Sequence, residues 1–167
     1  DFCSSQQLLP KDDVTIFVPP CGTSFASNVA NRLYYCPASW SRRTTKYLGI
    51  YKDRSVRAIG EIAKVVVCNV QLADHTVVPV EAGHILTSEE ADRIVRAAIE
   101  AQQYDWDLST GTQFFLCDQM EPTDFAKRTP RGIQGHRYLD LEELLGHVKV
   151  PSKLPELALV LRQHTWR

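Results

Sequence analysis

Two β-type runs joined by a short polar turn limit the fold of this chain more than any other feature. Lys46-Tyr47-Leu48-Gly49-Ile50-Tyr51 and Ser55-Val56-Arg57-Ala58-Ile59-Gly60 flank Lys52-Asp53-Arg54. Aromatic and β-branched residues on both sides of three turn-forming polar residues predict an antiparallel hairpin. The second arm does not stop at Gly60. Ile62 to Val70, with Val65-Val66-Val67 at its centre, reads as a continuing strand, buried on both faces or bent by a bulge. An arm that long needs partners beyond its hairpin mate, so the chain must build a sheet around it.

Other segments supply candidates. Val14-Thr15-Ile16-Phe17-Val18, closed by Pro19-Pro20, reads as a first strand, and Gln113 to Cys117 as another. Thr76-Val77-Val78-Pro79-Val80 fits an edge strand, where a proline's missing donor does least harm. Thr87-Ser88-Glu89-Glu90 has the spacing of a capping box. The helix it opens carries Ala91, Ile94, Val95, Ala98 and Ile99 on one face and should end near Gln103. One helical turn is expected near Ser27 to Leu33, a short helix over Leu139 to Leu145, and another from Leu154 to Arg162 with Pro155 in its first turn. The remainder of Cys21 to Arg43, including Tyr34-Tyr35, reads as loop. Hairpins outnumber helices too heavily for a doubly wound parallel sheet. The expected class is α+β with a mainly antiparallel sheet or a small β-barrel flanked by a few helices.

The 167 residues fit a single domain, with a core over about 14–145 and a C-terminal helical extension at 146–167. At 44% apolar residues the chain can bury a core without staples. No apolar run approaches the roughly 18 residues of a membrane span, and the opening Asp1-Phe2-Cys3-Ser4-Ser5 lacks the basic and apolar regions of a secretory signal. The chain is expected to be part of something longer. Cys3, Cys21, Cys36, Cys68 and Cys117 are odd in number and never closely paired. They read as buried thiols kept reduced in the cytoplasm. His75, His84, His136, His147 and His164 are equally scattered, and no metal or cofactor site is expected.

Charge is near balance overall but segregated along the chain. Residues 31–71 hold eight cations against Asp53 and Glu61, a net +6, and residues 127–137 hold Lys127, Arg128, Arg131 and Arg137 with no acid, a net +4. Residues 72–126 hold eleven acids against Arg93 and Arg96, a net −9. Phosphate binding needs local positive charge, which both basic blocks could supply. Alternatively the basic and acidic blocks simply neutralise each other across the fold.

Two loops carry the chemistry. Around Trp40, Arg42, Arg43 and Lys46, guanidinium groups and hydroxyls suit phosphate oxygens, and the indole suits a stacked base. A Trp in such a loop more often anchors a core. In the second loop Lys127, Arg128, Arg131 and Arg137 supply cations, while Gln134, His136 and Tyr138 can read or stack on a base. A glycine-rich loop that merely caps a sheet is the plainer alternative. Gly49-Ile50-Tyr51 with Ala58-Ile59-Gly60 mimics the paired tripeptides of a hairpin nuclease family. Ala58 stands where that family has Tyr, and residues 61–72 hold no arginine, so the pair is set aside. Asp105, Asp107 and Asp118 are the carboxylates a metal-dependent nuclease or hydrolase would use.

The Tyr-Leu-Gly-Ile-Tyr strand, its partner Val-Arg-Ala-Ile-Gly-Glu-Ile and the closing Ile-Gln-Gly-His-Arg-Tyr-Leu-Asp-Leu-Glu-Glu-Leu-Leu resemble the PUA-like superfamily. They are most similar to the nucleic-acid reader modules attached to bacterial defence nucleases. The likeness covers roughly residues 14–145 through the order of features. It implies a small β-barrel that binds DNA or RNA, with an aromatic pocket for a base, modified or not. Trp40, Tyr47, Trp106 and Tyr138 are the pocket candidates by residue type. The leading expectation is a nucleic-acid-binding module, without a membrane, joined to other domains of a longer chain. A metal-dependent hydrolase and a protein-interaction domain that uses the acidic block are the alternatives.

Overall fold

The computed structural model describes residues 14–81, 83–146 and 148–167. Cys3 and His147 lie outside them.

The hairpin forms as expected, with a tighter turn. β3 (Tyr47–Lys52) pairs antiparallel with β4 (Ser55–Gln71), and Lys52 faces Ser55. Only Asp53 and Arg54 cross over, both in the left-handed region (φ 52° and 59°). Two such residues make the turn whose twist matches that of the flanking strands. β4 runs seventeen residues, and its pairing shifts register around Gly60, Ile62 and Lys64, which marks bulges. β6 (Thr112–Lys127) follows β4 almost end to end. Its second half was hidden in the sequence by Asp118, Gln119, Glu121, Pro122 and Asp124, most of which are exposed or half-buried.

β2 (Leu33–Pro37) pairs with the first half of β6 and lies where loop was expected. β1 (Thr15–Val18) joins β3 in parallel and β7 (Arg137–Asp140) antiparallel. β5 (Thr76–Pro79) borders the far end of β4, and the two-residue β8 (Thr165–Trp166) borders the end of β6. The main path reads β2-β6-β4-β3-β1-β7. Among the described residues no ladder joins β2 to β7, so the sheet is open. The fold is α+β with a mostly antiparallel sheet.

Among the described residues four helices accompany the sheet. α1 (Phe25–Asn31) follows β1, and α2 (Ser88–Ala101) opens on the full Thr87–Glu90 capping box. α2 buries Ile94, Val95, Ala97, Ala98 and Arg93, while Ile99, expected on that face, is exposed. α3 (Leu141–Leu145) is capped by the Asp140 carboxylate, so the strand β7 takes the place of the first turn expected from Leu139. α4 (Leu154–Leu161) starts with Pro155 in its first turn.

Alternation along the strands sorts the core. Phe114 and Leu116 of β6 face α2 with Val66, Cys68 and Val70, whereas Phe115 and Cys117 point to the other face with Phe17, Leu48, Ile50 and Tyr34. A third cluster joins Ile16, Val18, Val56, Ile59 and Phe125 to Leu157, Leu161 and Trp166. The last stretch, expected as an extension, is therefore part of the core. Trp166 is fully buried and its indole N–H donates to Phe125 O at 2.9 Å. The described cysteines Cys21, Cys36, Cys68 and Cys117 are buried and unpaired.

Candidate nucleic-acid interface

The sheet brings five separated segments to one rim. Pro20 to Ser24 follow β1, Tyr34 and Tyr35 lie on β2, and Trp40 with Arg42 sit in the β2–β3 loop. Tyr104 and Trp106 follow α2, and Gly135 with His136 belong to the β6–β7 loop. Together they enclose a pocket of about 430 Å³, within the range of roughly 300–1,000 Å³ typical of small-ligand sites.

Each wall has a local cause. Gln113, on β6, donates from its side-chain amide to Trp40 O (2.8 Å) and Pro37 O (3.2 Å) and so holds the Trp40 loop against the sheet. Asp105 takes a left-handed conformation (φ 61°) at the end of a 3₁₀ turn, Gln102–Tyr104. That reversal lets Tyr104 and Trp106, on either side of it, face the same pocket. Trp40 and Trp106 meet edge to face at 6.0 Å, and Trp106 meets Tyr35 at 5.8 Å. Both indoles remain open, Trp40 at 44% and Trp106 at 36% exposure, so neither is a core anchor. Tyr34 and Tyr35 are buried, with near-parallel rings 6.3 Å apart.

Among the described residues, the polar groups of the pocket are incompletely partnered. Arg42 lies against the faces of Trp40 (5.2 Å) and Phe17 (5.8 Å) and donates to Ser41 O, but its buried Nε has no partner. The Tyr35 hydroxyl is also buried without one; the Ser24 hydroxyl nearby donates to Asn28 Oδ1 at 2.7 Å instead. Burial, followed by Tyr104, pushes the Tyr35 phenol up to about 12. Tyr34 is raised further by burial, with Arg42 pulling the other way. His136 is held below the usual imidazole range, first by burial and then by the Arg42 charge. It is therefore a neutral ring that donates at one nitrogen and accepts at the other.

A second hollow of about 600 Å³ adjoins the first through Gln134-Gly135-His136. Lys127, Thr129, Pro130, Arg131, Gly132, Gln134 and Arg137 line it. Among the described residues no carboxylate lines it. Lys127 is packed away along its stem, and its ammonium bonds the Thr129 hydroxyl. The cleft edge is fixed by the hairpin turn: Arg54 donates from its guanidinium to Pro130 O (3.0 Å), and Lys127 N donates to Arg54 O (2.8 Å). Arg43 links the two basic segments, its backbone N–H donating to the Tyr138 hydroxyl (2.9 Å) and its guanidinium lying 4.5 Å from that ring.

The expected site residues thus divide. Trp40, Arg42 and His136 line the aromatic pocket, and Lys127, Arg131, Gln134 and Arg137 line the cleft. Tyr138 stacks on Phe17 beside them without lining either hollow. Arg128 is exposed outside the cleft, with its backbone N–H on Trp166 O, and the Lys46 ammonium lies against the Tyr47 ring. Tyr47, weighed as a pocket residue, is core at 1% exposure. Tyr34, Tyr35, Tyr104 and the 20–24 segment were missed. The adjacent tyrosines were the one sequence signal for them.

The mutual neutralisation considered from charge patterning holds for part of the chain. Arg32 and Arg93 pair with Glu89, Lys64 with Glu90, and Arg57 with Asp124. Among the described residues, Arg42, Arg43, Lys46, Lys127, Arg128, Arg131 and Arg137 form no ion pair. Asp105, Asp107 and Asp118 do not gather: among the described residues no three ligating side chains converge. The Ser109 side chain first, and then the Ser109 N–H that donates to it at 2.9 Å, hold the Asp107 carboxylate below the ordinary range. Among the described residues no helix is long and apolar enough to cross a membrane. No protein-family model, curated protein or solved structure matches the chain.

Proposed function

We propose that this chain is a nucleic-acid-binding domain that takes one unpaired base into the aromatic pocket and lays the adjoining phosphate in the cationic cleft. The observation that carries the reading is the junction of two complementary hollows. One is walled by aromatic rings, and the other is lined by three cations and, among the described residues, by no carboxylate. Stacking on Trp and Tyr rewards any base, and a guanidinium or ammonium rewards any phosphate. An aromatic enclosure alone would also suit a methylated ammonium. Here Arg42 stands in the wall, and among the described residues no acid lines the pocket, so a cationic guest is disfavoured. A flat heteroaromatic suits the ring walls, and the Arg42 guanidinium beside Trp40 suits a carbonyl on its edge. His136 reads a second edge atom, and Gln134 turns to the phosphate side.

In this reading the domain is PUA-like, with the open sheet in place of a closed barrel, and it works as a reader attached to other domains of a longer cytoplasmic protein. Accommodating a base from a duplex costs a few kcal/mol of unstacking, so single strands should bind best.

The test is a panel of single-stranded, duplex and base-modified oligonucleotides titrated at two salt concentrations. Saturable, salt-sensitive binding to single strands is expected, abolished by Arg131→Glu with Arg137→Glu. Absence of saturable binding to every oligonucleotide at low salt would overturn the proposal.

A further inference from the structure

We infer that the cleft beside the hairpin turn is a phosphomonoester site, shaped for the phosphate at a strand end or on a free mononucleotide and oversupplied for a diester within a strand. The argument is one of stoichiometry. A bridging phosphodiester carries one negative charge and has two free oxygens. A monoester near neutral pH carries up to two charges and has three. The cleft offers Lys127, Arg131 and Arg137, together with the Thr129 hydroxyl and the Gln134 amide, and among the described residues no acid lines it. Three cations lining one hollow match the charge of a monoester dianion more closely than the single charge of a diester.

The site is also built in advance. Lys127 is only 8% exposed. Arg54 on Pro130 O and Arg128 N on Trp166 O (2.6 Å) fix the loop that carries the donors. Lost hydration, then Arg137 and Arg54, lower the proton affinity of Lys127, and a bound dianion would relieve that repulsion.

Position then identifies the nucleotide. Gln134 lines the cleft and His136 the pocket, and two residues span at most about 7 Å. The two hollows are therefore adjacent enough to take a base and the phosphate of the same nucleotide, a step that rests on the base-binding reading proposed above. The anion site itself does not depend on it.

The test uses the full chain with inorganic phosphate, a nucleoside 5′-monophosphate, and one single-stranded oligonucleotide in three forms: 5′-phosphorylated, 3′-phosphorylated and hydroxyl at both ends. One phosphorylated form should bind about tenfold or more tightly than the hydroxyl form. Arg131→Ala with Arg137→Ala should erase that difference. If the double variant melts early, the exposed Arg131→Ala alone should still reduce it several-fold. An equal gain for the free mononucleotide would assign the site to that source, and a gain for the strand alone to strand ends. Identical affinity for all three oligonucleotides would overturn the inference while leaving nucleic-acid binding intact. Binding of phosphate and mononucleotide without any oligonucleotide would uphold the site and overturn the nucleic-acid reading.

Discussion

Replacing Trp106 by Ala separates stacking from charge at this interface. The indole touches Trp40 and Tyr35 edge to face and keeps 36% of its surface open, so roughly one ring face is available to a guest. Base–aromatic stacking is worth about 1–3 kcal/mol per base. Because part of the ring is already covered, a mid-range loss of about 2 kcal/mol is expected, or about thirtyfold in Kd. Trp106 carries no charge. The slope of log K against log salt should therefore stay the same in Trp106→Ala, whereas Arg131→Ala should flatten it by about 0.7 for a single strand. Fluorescence anisotropy with a labelled oligonucleotide at four or five salt concentrations gives both quantities. Circular dichroism melting confirms that the variant is folded. Affinity within twofold of the parent would refute the stacking argument. A changed slope would show that Trp106 acts by positioning phosphates.

Other outcomes follow from the packing. Arg93, 1% exposed, donates to the carbonyls of Asn31, Arg32 and Cys117 and to the exposed Glu89; Arg93→Met should cost about 3 kcal/mol, chiefly from carbonyls left without that donor, and lower Tm by roughly 6–12 °C, and a shift under 3 °C would contradict that accounting. Gly60→Ala would set a Cβ 2.8 Å from both Cys117 Sγ and Gln119 O, so a loss of about 1–3 kcal/mol is expected in urea unfolding, and an unchanged midpoint would count against it. Burial raises the thiols of Cys21 and Cys117 to about 12 and of Cys68 to about 11, and raises Cys36 as well. At most one thiol equivalent of the native protein should then react with a disulfide reagent at pH 8, and two or more would refute the burial. The depressed His136 gains its proton more easily in the unfolded chain, so it stabilises the fold above the unfolded imidazole pKa and destabilises it as pH falls below. His136→Gln should flatten that acid limb, as read from Tm between pH 5 and 7.

Features set by neighbouring residues were legible in the sequence. The Thr87–Glu90 box, the hairpin, the edge strand interrupted by Pro79 and the proline-led helix at Leu154 are all written within a few positions, and each was found. The second half of β6 was not, because its partners lie more than fifty residues back in β4 and its exposed face looks like a polar turn. β7 was divided between the basic loop, which took Arg137 and Tyr138, and the helix expected from Leu139, because Asp140 marks the true helix start only once it caps. The two cationic loops were identified by composition. Their meeting at Arg43 and Tyr138 depends on the parallel β1–β3 contact, which no local spacing announces. The pocket was the least legible feature: its walls come from five segments between Pro20 and His136, and residue type alone also pointed to Tyr47, which the β3 pleat turns the other way.

The crossover at Asp53 and Arg54 has a consequence beyond closing two strands. Its tip residue braces Pro130, seventy-six positions further on, so it works as a bracket for the cleft. A hairpin by itself tolerates a longer connection. This one does not have that freedom, because a single inserted residue would swing the guanidinium off its carbonyl and slacken the loop beyond. The length of that turn is therefore governed by the hollow it supports.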